Sequence, residues 1–162
     1  MNRKIFLKIY NYTCRNPLVK SLGIFVAKYS EALFYGIYFL GGFVLALNNI
    51  NLLIKYILIP FVVLLYNTFI RKLLNRPRPF AVENIQSLIP HKANGSCPSN
   101  HAASSMIIAF AWWCVCPYFT PLFCIIALFT GASRVMTGVH YPKDVFIGWG
   151  IGIFFGIIGF VI

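Results

Sequence analysis

Five apolar stretches, at about 31–48, 52–70, 100–116, 119–134 and 144–162, limit what this chain can fold into. Each is close to the ~20 apolar residues that a helix needs to cross the hydrocarbon core of a bilayer. Hydrocarbon offers the backbone no water, so a spanning segment pairs its N–H and C=O groups internally, as a helix does. Composition agrees. The chain is 59% hydrophobic and 10% charged, whereas a soluble domain carries about 25% charged residues. The reading is an all-α integral membrane helix bundle. In the second stretch Pro60 is expected to kink the helix, and Lys55 to reach its near end along an apolar stem.

Residues 2–28 read differently. Arg3, Lys4, Lys8, Arg15, Lys20 and Lys28 alternate with Ile, Leu, Phe and Tyr, which favours an amphipathic helix on the membrane surface, one that can run into the first span. A short sixth crossing near 17–28 is the second reading. The fold is therefore five or six transmembrane helices with an N-terminal amphipathic helix, divided as a segment 1–28 and a membrane domain 29–162. Lys8, Asn11 and Arg15 interrupt any apolar leader core, so the N-terminus is read as retained. Five cysteines, Cys14, Cys97, Cys114, Cys116 and Cys124, form neither a disulfide framework nor a metal-ligand spacing.

The formal net charge is +11, with only three acidic residues, Glu31, Glu83 and Asp144. No soluble basic face is available, so nucleic acid is not the expected partner. Anionic lipid head groups and phosphate ligands are. Counting crossings places four segments at one mouth of the bundle: "RKLLNRPRP" (71–79), "CPSNH" (97–101), "SR" (133–134) and "HYPKD" (140–144). The opposite face receives only uncharged turns. The mouth thus gathers Arg71, Lys72, Arg76, Arg78 and Arg134, with Lys92 and Lys143 nearby. Ser99, Asn100 and Ser133 add hydrogen-bonding groups, and His101, His140 and Asp144 add proton-transfer groups. Cations held together near a membrane repel one another, and a multivalent anion relieves that repulsion. Arginine's planar fork suits phosphate oxygens, and a helix beginning at "CPSNHA" offers free N–H groups to the same anion. The plainer reading, a positive-inside flank that fixes topology, suits Arg3, Lys4, Lys8 and Lys20.

His140 and Asp144 are four residues apart with Pro142 between them. If the last helix starts near Tyr141, the carboxylate comes within reach of the imidazole. It then holds one ring nitrogen as N–H and leaves the other free to attack. The competing reading is an Asp that merely caps the helix.

"RPRPF" (76–80), "PSNHA" (98–102) and "SRVMTGVHYPKD" (133–144) resemble the three signature motifs of the type-2 phosphatidic-acid phosphatase superfamily, which are integral-membrane lipid phosphate phosphatases. That pattern is Lys, six residues, Arg-Pro; then Pro-Ser-Gly-His; then Ser-Arg, five residues, His, three residues, Asp. The third motif matches in full. The second has Asn100 in place of Gly. In the first, Arg71 stands seven residues before Arg78, with Lys72 next to it, so either can fill the lysine's place. The resemblance covers roughly residues 30–162. It implies attack by His140 to form a phosphohistidine, orientation of that ring by Asp144, and protonation of the leaving oxygen by His101. Arg71 or Lys72, Arg78, Ser99, Asn100 and Arg134 are implied to hold the phosphoryl oxygens, with no metal and no cofactor.

The small size is similar to that of bacterial undecaprenyl-diphosphate phosphatases in this superfamily. The expected partners are a lipid phosphate and the bilayer. The expected place is the bacterial plasma membrane, with the site facing outward. A phosphatidylglycerophosphate or phosphatidic-acid phosphatase, a lipid-to-lipid phosphotransferase and a non-catalytic lipid-binding protein are the alternatives. His91 is read as a surface-loop residue and Glu31 as an interface anchor. Gly148, Gly152 and Gly156, each four apart, are read as a close-packing seam.

Overall fold

The structure, a computed structural model, describes residues 2–162, and its regular elements are all helices, with no strand among them. Helix α1 runs Asn2–Arg15 and buries Phe6, Tyr10 and Thr13. These lie on one stripe, while Arg3, Lys4, Lys8 and Arg15 on the other face are exposed. The stripe rests on the bundle: the Phe6 ring meets Tyr141 edge-on at 5.2 Å, and the Tyr10 hydroxyl donates to the Gln86 carbonyl at 2.6 Å.

The break after α1 falls at Asn16, not at residue 28. The Asn16 side chain accepts from the N–H groups of Leu18 and Val19 at 3.1 and 3.3 Å, and Pro17 opens the next helix. That is an N-cap followed by proline at the first helical position. Helix α2 then runs unbroken over Pro17–Asn48. Residues 17–28 are therefore its first turns, neither the tail of the amphipathic segment nor a separate crossing. At the standard rise α2 is about 48 Å long, longer than the ~30 Å hydrocarbon core.

Asn49 ends α2 and caps α3 (Ile50–Leu74), which contains the buried Pro60. A one-turn helix α4 (Pro79–Val82) and a loop follow, then α5 (Asn100–Ala111), α6 (Thr120–Met136) and α7 (Pro142–Gly156). A wider π-type turn closes the chain over Ile157–Val161. Four of the described helical stretches, 17–48, 50–82, 117–136 and 142–161, are long and apolar enough to cross a bilayer. The third expected span is the exception. Its α-helix stops at Ala111 and continues as a tighter turn over Trp112–Cys114. This 12-residue helix is the centre of the bundle, with eight of its residues buried, packed against α3, α6 and α7. Protein surrounds it, so it does not have to match the thickness of the lipid.

The glycine seam of α7 faces α5. A Cβ on Gly148 would sit 2.6 Å from the Ser99 carbonyl oxygen, and one on Gly152 would sit 2.7 Å from the Met106 Cβ. Small residues let the two backbones approach. The outer surfaces of α2 and α3 expose large apolar side chains such as Phe39, Leu47, Phe61 and Phe69. Such a surface suits lipid and not water, and the chain is an integral membrane protein.

Candidate active site

The ends of α3 and α6 and the starts of α5 and α7 meet at one mouth, and the first turns of α1 pack beside it. His140 lies in the short connection between α6 and α7 and is 1% exposed. Arg78, also 1% exposed, places its Nη1 3.1 Å from His140 Nε2. A guanidinium only donates, so Nε2 is the acceptor and the ring proton sits on Nδ1. Asp144 Oδ2 is 3.9 Å from Nδ1. This is close enough for charge attraction but too long for a hydrogen bond. Asp144 also accepts from the Tyr141 N–H at 2.9 Å and from Arg76 Nη1 at 3.2 Å. The carboxylate therefore caps α7 and faces the histidine at once. Burial first, then Arg78 and Arg134, hold the His140 imidazole below its ordinary value against the opposing pull of Asp144. The ring is neutral near pH 7, with a lone pair on Nε2.

Arg78 is fixed from several sides. It donates to the carbonyl and side-chain oxygens of Asn94 at 2.9–3.2 Å, and to the Val139 carbonyl at 3.0 Å. Arg134, near the end of α6, is 3% exposed, and its Nε and Nη2 have no hydrogen-bond partner. Buried donors are normally paired, so this guanidinium presents two unused donors in the interior of the site.

The first turn of α5 supplies the remaining groups. The Ser99 hydroxyl accepts from the Ala102 N–H at 3.4 Å, and the Ser99 N–H donates to the Asp144 carbonyl at 3.0 Å. The serine caps α5 and ties it to α7. Asn100 lies against Asn67, and with its amide oriented by its neighbours it accepts from Arg71 Nη1 and Nη2 at 3.2 and 3.3 Å. Arg71 lines the same cavity as Asn100 and His101, whereas Lys72 is exposed. Of the two candidates from the first motif, Arg71 is the one placed in the site. The Ser133 hydroxyl donates to the Thr130 carbonyl at 2.7 Å, so its proton is already used and is not offered to a phosphoryl oxygen.

Two residues outside the motifs join the site. His91 is partly buried, with its ring edge-on to His101 at 6.1 Å and to His140 at 6.3 Å between centroids. It is not a plain surface-loop residue. Burial and the neighbouring Arg78 push it down to about 4. Glu31, midway along α2, places Oε2 3.2 Å from His101 Nε2, which makes it more than an interface anchor. The chain has three histidines and three carboxylates. All three histidines and two of the carboxylates gather here, and that scarcity was the signal in the sequence. Among the described residues no group of three His, Cys, Asp or Glu side chains could hold a metal ion.

A cavity of about 200 Å³ opens beside His101, lined also by Glu31, Arg71 and Asn100. Four of its walls, Tyr35, Leu64, Ser104 and Ile108, also line an apolar groove between α2, α3 and α5.

The chain is 29% identical to the undecaprenyl-diphosphatase BcrC of Bacillus subtilis (strain 168), over 99% of its own length and 83% of that protein. It is 31% identical to the bacitracin transport permease protein BcrC of Bacillus licheniformis, over 88% of its own length and 68% of that chain. The crystal structure of Aquifex aeolicus LpxE superposes with a TM-score of 0.72 at 26% identity, covering 98% of this chain and 94% of that one. A family model described as the PAP2 superfamily matches residues 50–162, a span that takes in every motif residue placed at the mouth. By that match, this chain belongs to the PAP2 superfamily of membrane lipid phosphatases.

Proposed function

We propose that this chain hydrolyses a lipid phosphate or diphosphate, with undecaprenyl diphosphate the favoured substrate, through a phosphohistidine on His140. The observation that carries this reading is the pairing of a neutral His140, its Nε2 turned to a guanidinium, with the two unpartnered donors of Arg134. In this scheme Arg78 Nη1 shifts from Nε2 to a phosphoryl oxygen when the substrate enters. Nε2 attacks phosphorus in line, the N–P bond forms and the P–O bond to the leaving group breaks. His101 gives a proton to the departing oxygen. Asp144 stabilises the cationic ring of the intermediate. Water then attacks phosphorus, His101 takes its proton, and phosphate leaves with the neutral imidazole restored.

Arg71, Arg78 and Arg134 offset the phosphoryl charge, so activity is proposed to need no metal. The apolar groove that shares walls with the head-group cavity suits the lipid tail. The relative named an undecaprenyl-diphosphatase supports the choice of substrate. The site is proposed to face outward from a bacterial plasma membrane. The exposed cations of α1 lie on the same face as the mouth, so this orientation runs against the positive-inside tendency.

The test is phosphate release by detergent-purified protein, with chelator present, from undecaprenyl diphosphate, phosphatidylglycerophosphate and phosphatidic acid, beside His140→Ala. Release from undecaprenyl diphosphate that the variant abolishes is expected. Turnover by the variant at the wild-type rate excludes the phosphohistidine, and dependence on added magnesium excludes the metal-free mechanism.

A further inference from the structure

Glu31 is a carboxylate midway along α2, a helix long and apolar enough to cross a bilayer, where an ionisable group is costly and marks function. It lies outside residues 50–162, so none of the family motifs assigns it. Lys28 stands three residues earlier on α2, yet the ion pair Glu31 makes among the described residues is across the bundle, to His101 at 3.2 Å. The Tyr35 hydroxyl donates to its other oxygen at 3.2 Å. The carboxylate is thus held at both ends, on the wall of the cavity that contains His101 and Arg71.

We propose that Glu31 is the positioning carboxylate of the proton-transferring half of the site. It accepts from His101 Nε2 and leaves Nδ1 to give the proton to the leaving oxygen and later to take one from water. The assignment rests on the phosphatase reading above. A carboxylate only accepts, so in the neutral ring the proton sits on Nε2 and Nδ1 carries the lone pair. Protonation at Nδ1 creates an imidazolium, and a carboxylate at hydrogen-bond distance stabilises that cation. The need for it is clear from the other groups around the ring. His101 also faces Arg134 from α6, Arg78 from the segment before α4, and His91 and His140 from the two loops. Arg71 of α3 lines the same cavity, while Asp144 on α7 faces His140. Among the ionisable groups around His101, Glu31 alone brings negative charge to it. The site then has two acid–histidine pairs: Asp144 with the nucleophile and Glu31 with the acid–base.

The test compares Glu31→Gln and Glu31→Ala with wild type on substrates whose leaving groups differ. An alkoxide, as from phosphatidic acid, depends most on protonation. A lipid phosphate leaving from a diphosphate depends less, and p-nitrophenolate from p-nitrophenyl phosphate depends least. For both variants kcat/KM, which reports formation of the phosphohistidine and not its common breakdown, is expected to fall by about tenfold or more on the most dependent substrate turned over and at most about threefold on p-nitrophenyl phosphate, a share of the roughly 10²–10⁴-fold a general acid supplies. The alkaline limb of the kcat–pH profile is expected to move to lower pH. Equal losses on all substrates, or full activity in either variant, would overturn the proposal. Two variants guard against one that misfolds, and Glu31→Gln keeps the shape of a half-exposed side chain. Failure of the phosphatase reading is separately visible, since wild type would then release no phosphate from any of the substrates.

Discussion

Replacing Arg134 by methionine separates the cost of building a phosphate site from the benefit of filling it. Arg134 is 3% exposed and two of its nitrogen donors have no partner. An unsatisfied buried donor costs roughly 1–3 kcal/mol, more when charged. Methionine keeps most of the stem and removes the donors, so Arg134→Met is expected to raise the stability of the ligand-free protein by about 2 kcal/mol. In the phosphate-bound site proposed above, the same donors make charge-assisted bonds to phosphoryl oxygens. Losing one such bond of roughly 3 kcal/mol weakens binding by about 100-fold. Orthovanadate, an analogue of the phosphoryl group in transfer, is the probe. Thermal denaturation in detergent is run with and without it, alongside its inhibition of phosphate release. The reasoning predicts opposite signs: a higher Tm without vanadate, and a much smaller vanadate-induced rise. A variant that is less stable when empty, or one still stabilised by vanadate at wild-type concentrations, refutes it.

Three further outcomes are expected. A Cβ on Gly152 would meet Met106 Cβ at 2.7 Å and the Ala103 carbonyl oxygen at 2.9 Å, whereas one on Gly150 meets nothing within 4 Å. Gly152→Val should therefore cost at least about 1–3 kcal/mol by overpacking and Gly150→Val little, as read from thermal denaturation. His91 is held at about 4 in the folded protein, so below its ordinary value of 6.5 the unfolded chain takes up a proton that the folded one refuses. Stability should then fall as pH drops from about 6.5 towards 4, and His91→Gln should flatten that part of the Tm–pH curve. Cys14 is exposed on α1, one turn after Tyr10, whose hydroxyl donates to the Gln86 carbonyl in the loop beside the mouth. An impermeant maleimide should label it on intact cells if the site faces outward, and only after lysis if it faces the cytoplasm.

The third motif shows how far residue spacing reaches. With Pro142 in the first turn, a helix start at Tyr141 brings Asp144 back towards His140, and the structure has Tyr141 as the cap. Spacing cannot separate a capping bond from a bond to the ring, and the carboxylate does the first at 2.9 Å while standing 3.9 Å from the second. The first motif left Arg71 and Lys72 equal. They differ only in the side of α3 they occupy, which the contact with Asn100 decides.

The sequence alone determined that the chain is a helical membrane bundle and that four polar segments share one mouth. Hydrocarbon forces long apolar runs into helices, and parity of crossings then sorts their ends. It also determined that His140 and Asp144 lie close together, because four residues along a helix is a local distance. Only the tertiary structure decided that α5 is a short central helix enclosed by its neighbours, that Glu31 reaches His101 across 70 residues of sequence, and that His91 sits against both other histidines. Those contacts depend on which faces of α2, α5 and the α4–α5 loop are turned together. Packing sets that rotation, and no local pattern in the chain encodes it.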